Sequence, residues 1–389
     1  MKIKNQLPIR HPKYNKSLLQ LLSGFTCILL LPQVNAAEVT ERATLTGGLI
    51  YDSNPAVSST QKNPAWIFSL IPDFRVDGTS EVNQWFVDGS FDIERPSNQT
   101  VLINREDPRL SAGWNHTYET GLFGINANFM QGTTLNSQLI STGQFTQNNN
   151  TQTTRELAAN WQQTINSKWS ALTNAVYDDV GFSISTPGGL ESYRFGDIGA
   201  KVTYQNNEKL DTYAQLGYAQ INPNVTFEST DKVRLGGGAD YNVNENLTLG
   251  ANAEIYNLSG RQSDTSWDGG INAKYTLQRA SYSAGLVRQV KVSPYGGFQK
   301  NDGLILGWAY TRSEIDQFGA DYSFNKYIKD ATLGLDGLDY QQLGAFYERS
   351  ITNHLKTRLS ATFKKIDSLG KTGNSEAVGV TLVFDTLNF

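Results

Sequence analysis

The stretch Ala65–Gly78, "AWIFSLIPDFRVDG", decides the fold class. Successive side chains of an extended strand point to opposite sides. In this stretch Trp66 and Phe68 therefore share one face, while Asp73 and Arg75 lie on the other. An apolar face opposite a charged face is typical of a strand that separates an apolar phase from water.

The same unit recurs along the chain from Arg42 onward, and no segment with a helical period interrupts it. Each run alternates small or apolar side chains with polar ones over about ten residues, the length of a tilted membrane-spanning strand. Short and long connections alternate between the runs, and the longest extends from about Thr133 to Gln152. We count eighteen runs, with approximate extents 42–52, 65–77, 82–94, 107–118, 121–132, 153–164, 168–180, 190–205, 209–222, 231–243, 246–257, 265–277, 280–293, 302–311, 315–325, 336–350, 354–367 and 374–388.

This pattern predicts an all-β protein: a transmembrane antiparallel up-and-down β-barrel of about eighteen strands in the bacterial outer membrane. The alternation of short and long connections is expected when one side faces the periplasm and the other the exterior. One alternative is a soluble β-sandwich, but such sandwiches usually have about seven to nine strands, fewer than the eighteen runs of this chain. A soluble barrel or a β-helix is the other alternative. Aromatic side chains lie near the ends of the runs, where interfacial girdles belong: Trp66, Trp114, Trp161, Trp169, Tyr241 and Tyr275.

The N-terminal segment has the pattern of a secretory signal peptide. Its first sixteen residues carry five basic side chains and no acid, and the apolar run Leu18–Leu31 follows. Val34 and Ala36 are the small residues before a cleavage point. We therefore predict a signal peptide over 1–36 and an outer-membrane barrel over 37–389. The alternatives are a membrane anchor, for which the apolar run is short and interrupted, and lipid attachment at Cys27.

The composition of the mature chain excludes several functions. Removal of the signal peptide takes five basic residues and changes the net charge from −4 to −9. An acidic chain without a basic stripe does not predict a nucleic-acid partner. No cysteine remains, and only His116 and His354 are left. We therefore predict no cofactor, no metal site and no catalytic triad, and the chain is not expected to be an enzyme.

The C-terminal run "EAVGVTLVFDTLNF" ends on Phe389. Chains that resemble outer-membrane barrels usually end in an aromatic residue that the barrel-insertion machinery recognises, which implies that machinery as a partner. Val383 and Leu387 share a face with Phe389, but so does Asp385. A bulge, or a strand that ends near Phe384, would restore an apolar face.

The first run, with Gly47 and Gly48, is followed by "YDSNP" at Tyr51–Pro55. Asp and Asn favour turns and Pro cannot continue a β-ladder, so we predict an external loop after the first strand. This stretch, with Ile71 and Pro72 in the next run, resembles the β-barrel porin-2 family, whose members accompany exopolysaccharide and capsule synthesis genes. The resemblance implies an export channel for a polysaccharide or oligosaccharide, surrounded by outer-membrane lipids and served by periplasmic polysaccharide-export proteins.

The face opposite the apolar one predicts the wall of a polar lumen. Both signs of charge are present, so strong ion selectivity is not expected. Aromatic residues such as Phe86 and Tyr213 also alternate into this face, and aromatic rings with polar neighbours suit sugar rings. The candidate pore-lining residues are Asp73, Arg75, Asp88, Asp92, Arg109, Asp197, Lys201, Lys232, Arg234, Asp240, Glu254, Asp268, Lys274, Asp321, Glu348 and Arg358, with Asp107 and Lys356 on the same face.

Three functions are compatible with this sequence. The first is an outer-membrane channel that exports an exopolysaccharide or capsular polysaccharide. The alternative is a general or sugar-selective diffusion porin that works inward. The third is an outer-membrane barrel enzyme, against which the absence of a triad argues.

Overall fold

A computed structural model describes residues 38–135, 150–185, 189–224 and 227–385. The predicted signal peptide lies outside these residues. The described chain forms eighteen strands, close to the predicted runs. They are β1 (Glu38–Asp52), β2 (Ala65–Thr79), β3 (Asn83–Pro96), β4 (Arg105–Tyr118), β5 (Gly121–Thr133), β6 (Thr151–Thr164), β7 (Trp169–Phe182), β8 (Tyr193–Asn207), β9 (Leu210–Pro223), β10 (Thr230–Asn242), β11 (Leu247–Gly260), β12 (Asp264–Thr276), β13 (Ala280–Ser293), β14 (Gly297–Thr311), β15 (Asp316–Tyr327), β16 (Leu338–Ser350), β17 (Leu355–Ser368) and β18 (Lys371–Asp385).

The strands form one closed antiparallel sheet in chain order. The first and last strands close it, with register from Thr44↔Asp385 to Asp52↔Ala377. Closure matters because an open strand edge in lipid would leave unpaired backbone groups, at several kcal/mol each. No helix among the described residues is long and apolar enough to cross a membrane.

The predicted alternation determines which side chains face lipid. Leu235 and Ile255 are each 66% exposed on the outer face, whereas their neighbours Arg234 and Glu254 are much less exposed and point inward. The sheet therefore has an apolar outer surface and a charged inner surface, as a barrel in a bilayer requires. All six predicted girdle aromatics are exposed on the outer face, from Trp114 at 38% to Trp66 at 51%.

The connections divide the barrel into two ends. All eight connections at one end are short, and this end also carries the start of β1, so it is the periplasmic end. The prediction that every connection at the other end is long is wrong for three of them: 261–263, 294–296 and 369–370. Leu369 and Gly370 both have positive φ, at 50° and 73°, which fits the two-residue hairpin turn that matches strand twist.

The C-terminal strand keeps an apolar outer face up to Phe384. Asp385 points inward and accepts a hydrogen bond from the Thr44 hydroxyl at 3.2 Å. Phe389 and Leu387 lie outside the described residues. The buried apolar core lies inside the extracellular end, in two clusters described below.

Candidate functional site inside the barrel

The inner face of the wall is the candidate functional site. The register places all sixteen candidate pore-lining residues on the inward side of their strands, opposite the exposed apolar side chains. They are Asp73, Arg75, Asp88, Asp92, Arg109, Asp197, Lys201, Lys232, Arg234, Asp240, Glu254, Asp268, Lys274, Asp321, Glu348 and Arg358. The structure brings some of them together in pairs and leaves others separate.

Arg234 and Asp197 form a bidentate ion pair, at 2.7 and 2.9 Å. They lie on β10 and β8, so the guanidinium must cross the strand between them. Gly217 on β9 makes this possible, because a Cβ there would lie 2.6 Å from the Arg234 Nε. Glycine at this inward position therefore provides the path for a charge pair that spans three strands.

Lys232 lies in a buried ion cluster closer to the extracellular end. Its Nζ is 2.7 Å from Asp268 and 3.7 Å from Glu254, and it lies 4.6 Å from the centroid of the Tyr256 ring. The exposed fractions of Lys232 and Asp268 are only 4% and 7%. Ions buried to this degree need partners, because desolvation costs several kcal/mol per ion.

Three cations in the periplasmic half lie over aromatic rings. Arg75 lies over Phe86 at 4.6 Å, Lys201 over Tyr213 at 3.9 Å, and Arg358 over Phe346 at 4.0 Å. In each case the ring also packs on a glycine of the strand on its other side, where a Cβ would overlap it: Gly113, Gly238 and Gly319 respectively. We call these arrangements the three glycine–ring–cation stacks. They occupy the inward aromatic faces that the sequence suggested for sugar rings.

Other candidates are less constrained. Arg109 is 3.7 Å from Asp92, and Arg75 also pairs with Asp77 at 2.7 Å. Apart from the stacked Lys201 and Arg358, six candidates have side chains that make no ion pair or hydrogen bond with any described residue: Asp73, Asp88, Asp240, Lys274, Asp321 and Glu348. The inner face therefore combines fixed pairs with charges open to the lumen.

The tip of the β13–β14 hairpin, residues 289–300, leaves the wall, and we call it the inward hairpin. Strand β13 pairs with β12 only as far as Arg288, and β14 pairs with β15 only as far as Asn301. Beyond these points the two strands pair only with each other, up to Ser293↔Gly297. The sequence predicted a strand over 280–293, and β13 confirms that extent. The predicted long connection up to residue 302 is wrong, because β14 already begins at Gly297 and the two strands continue inward as a hairpin.

The inward hairpin packs on the inner surface of the wall. Val290, Val292 and Phe298 contact a buried apolar cluster, and Phe298 meets Phe195 edge to face at 6.4 Å. Because the wall members of the cluster point inward, the hairpin forms a second layer inside the extracellular end. These wall members are Val180, Phe182, Tyr193, Ala219, Ile221, Tyr256 and Leu258.

Hydrogen bonds fix the tip of the inward hairpin to neighbouring connections. The Gln262 side chain donates to the Phe298 carbonyl at 2.7 Å and accepts from its N–H at 2.6 Å. The Glu191 N–H donates to the Pro294 carbonyl at 2.8 Å. Gly296 has φ +74°, and a Cβ there would lie 2.7 Å from a Glu191 carboxylate oxygen. Only glycine suits both the conformation and the space.

A cavity of about 300 Å³ lies between the inward hairpin and the wall. Lys291 of the hairpin and Asp178 of β7 both line it. Neither side chain makes an ion pair or hydrogen bond with a described residue. Burial also raises the pKa of the Tyr295 phenol at the hairpin tip, so this side chain is neutral at physiological pH.

The connection between β1 and β2 also folds inward. Val57 is 1% exposed and packs on inward-facing Tyr327, Tyr340 and Ile366. The Asn54 side chain donates to the Asn374 carbonyl at 2.8 Å. The "YDSNP" stretch therefore forms the predicted turn in a connection at the extracellular end, and this connection folds into the mouth of the barrel.

Neither histidine lies on the inner face of the barrel. His116 is on the outer face, where its ring stacks with Trp114 at 5.9 Å and Tyr118 at 6.5 Å. His354 lies in the periplasmic turn between β16 and β17. Within the described residues, no group of three or more His, Cys, Asp or Glu side chains is arranged to hold a metal ion.

Comparison with solved structures identifies the fold. The barrel matches OpdQ of Pseudomonas aeruginosa with a TM-score of 0.50 and 9% identity, over 90% of this chain and 99% of that one. It matches OpdL of the same organism with a TM-score of 0.50 and 11% identity, over 90% and 99%. OccAB4 of Acinetobacter baumannii gives a TM-score of 0.50 and 10% identity, over 92% and 100%.

The chain is an eighteen-stranded outer-membrane β-barrel. At these identities the similarity shows the fold alone. No protein-family model and no curated protein matches the chain. The association with exopolysaccharide synthesis, which the resemblance implied, therefore has no support from these comparisons.

Proposed function

We propose that the barrel is a passive diffusion channel for small polar solutes across the outer membrane. The observation that carries this proposal is the charged inner face, which continues beneath an inward hairpin fixed to the wall. A barrel of eighteen strands is wide enough to hold an aqueous channel. The inward hairpin and the β1–β2 connection reduce that width at the extracellular end.

The charge pattern favours polar solutes without strong selection by sign. Cations and carboxylates both occur on the inner face, and several neutralise each other in pairs such as Arg234–Asp197. A lumen with mixed charges does not create the single-signed field that concentrates one kind of ion. We therefore expect the size of the solute to matter more than its charge.

Liposome swelling tests this proposal. Purified barrel is reconstituted into liposomes, and swelling rates are measured for a pentose, a hexose, a disaccharide and a trisaccharide. The rates should decrease steadily with solute size, and planar bilayers should show stepwise conductance. Liposomes without protein are the control. No swelling with any solute, together with no conductance steps, would contradict the proposal.

Export of an exopolysaccharide is supported only by the resemblance of the stretch from Gly47 to Asp73. The inward aromatic rings do not favour it, because Phe86, Tyr213 and Phe346 are covered by cations. A strain that lacks the gene distinguishes the two functions. Loss of external polysaccharide with periplasmic accumulation would support export, whereas an unchanged distribution supports the diffusion channel.

A further inference from the structure

The outer, lipid-facing wall has a groove near its extracellular end, with a volume of about 330 Å³. Its floor is Gly196, the fourth residue of β8. Ile198 is 52% exposed on the same face, so Gly196 also faces outward. No atom lies within 4 Å of a Cβ built at Gly196. The groove is thus an open gap in the outer wall, separate from the lumen.

Aromatic side chains form the sides of this groove. Gly196 is paired with Tyr177 of β7 on one side and with Gln220 of β9 on the other. Tyr218 lies on the same face of β9, two residues closer to the periplasmic end. Tyr177 and Tyr218 are 48% and 42% exposed. The Tyr218 hydroxyl and the Gln220 amide both donate to Asp231, at 2.7 and 2.8 Å. The polar ends of Tyr218 and Gln220 are thereby occupied, and an apolar channel remains along Gly196.

A cation without a partner lies at the upper end of the groove. The register aligns Arg155, Asp179, Arg194 and Asn222 in one row across β6 to β9. Arg155 pairs with Asp179 at 3.1 Å. The Arg194 side chain is exposed and makes no hydrogen bond or ion pair with any described residue. The row therefore carries one uncompensated positive charge beside an apolar groove.

We propose that this groove binds one phosphorylated glycolipid of the outer leaflet. An acyl chain lies along Gly196 between Tyr177 and Tyr218, and a phosphate accepts bidentate hydrogen bonds from Arg194. Guanidinium and phosphate match in geometry as well as in charge. The groove faces the extracellular half of the bilayer, so the lipid that covers it comes from the outer leaflet. A neutral lipid would not offer the Arg194 guanidinium a bidentate anionic partner.

Native mass spectrometry of the purified, folded barrel tests this inference, with bisphosphorylated lipid A as the probe. Wild-type protein should retain one tightly bound lipid. Arg194→Gln should weaken binding about fivefold, the loss expected for one basic side chain at a membrane surface. Gly196→Leu should weaken it about tenfold, because the new side chain occupies the groove.

Two matched variants serve as controls. Lys326→Gln removes an outward-facing cation near the extracellular end of β15, and Gly47→Leu fills an outward-facing glycine whose Cβ would have no atom closer than 4.0 Å. Both should bind lipid A like the wild type. The same affinity in all four variants would overturn the proposal and indicate annular lipid only.

The choice of lipid is tested in the same way. Lipid A without phosphates should bind the wild type much more weakly than bisphosphorylated lipid A does. It should bind the wild type and Arg194→Gln with equal affinity. If the wild type binds dephosphorylated and bisphosphorylated lipid A equally, the role of Arg194 is overturned. If the wild type binds phosphatidylglycerol as tightly as bisphosphorylated lipid A, the assignment to a glycolipid is overturned. Heat-modifiable migration in gels confirms that each variant is folded, and because the groove is outside the lumen, solute flux should not change.

Discussion

The two halves of the barrel interior hold their charges in different ways. In the periplasmic half, the three glycine–ring–cation stacks place Arg75, Lys201 and Arg358 against a single layer of wall. In the extracellular half, the inward hairpin covers the wall and Lys232 is only 4% exposed. The same residue types are therefore solvated at one end and buried at the other.

This difference shows how an inner wall can be built from one repeated strand pattern and still vary in environment. Contacts between neighbouring strands are enough to orient the periplasmic cations. The charges around Lys232 instead depend on a segment that lies far along the chain, because residues 289–300 cover β7 to β11. Changes to that segment should consequently have the largest effects.

Shortening the inward hairpin should change permeation most. Gln289 and Asn301 are paired directly, so a two-residue Asn-Gly turn can replace residues 290–300. Because the second layer is then absent from the mouth, single-channel conductance should rise about twofold or more. Planar bilayer recordings measure this change.

The matched control shortens a connection that lies at the rim. Glu94 and Arg105 are also paired directly, and an Asn-Gly turn can replace residues 95–104. That variant should keep the wild-type conductance. Equal conductance of the wild type and the hairpin variant would show that the inward hairpin does not limit the channel.

Removal of the buried cation should have the next largest effect, on stability. Lys232→Met leaves Asp268, 7% exposed, without its ion partner at 2.7 Å. Breaking a buried pair in this way costs about 3–5 kcal/mol. Urea unfolding in lipid vesicles measures the free energy of unfolding. Lys274→Met, at an exposed inward position in the periplasmic half, should change it little, and similar losses in both variants would contradict the proposed difference between the halves.

Release of the hairpin tip should have a smaller effect. Gln262→Leu removes two hydrogen bonds to the Phe298 backbone, at a cost of about 1–3 kcal/mol. Hydrogen exchange at residues 295–299 should become faster, and channel recordings should flicker more. Gln84→Leu, on the inner face of β3 and without a hydrogen bond to a described residue, is the control. Unchanged exchange in Gln262→Leu would show that the hydrogen bonds of Gln262 do not hold the tip.

The sequence predicts the wall well because a barrel strand must alternate. In β10, for example, Val233 and Leu235 face lipid, so Lys232 and Arg234 must point inward. One-dimensional alternation thus determines the face of each residue. It does not determine partners, which depend on register: Arg234 reaches Asp197, two strands away, only because Gly217 lies between them.

The second layer could not be predicted from alternation. Val290 and Val292 have the same spacing as lipid-facing residues, but in the structure they face the inner wall of other strands. Both positions bury an apolar side chain, so the pattern is the same for lipid and for protein. A possible signal is the segment "SPYGGFQ" at Ser293–Gln299, which combines turn formers with aromatic residues where an exposed loop would be polar.

Removal of one stacked cation should have the smallest effect on permeation. Arg358→Gln takes one charge from an inner face that holds both signs, so the reversal potential in a KCl gradient should shift slightly towards cation preference. Phe346→Leu keeps that charge but removes the ring that lies 4.0 Å beneath it. It should leave the reversal potential unchanged and lower the free energy of unfolding by about 0.5–1 kcal/mol. If Phe346→Leu shifts the reversal potential as much as Arg358→Gln does, then the ring positions the charge for permeation as well as stabilising the wall. The periplasmic half would then resemble the extracellular half, because in both the position of a charge would depend on the residues that cover it.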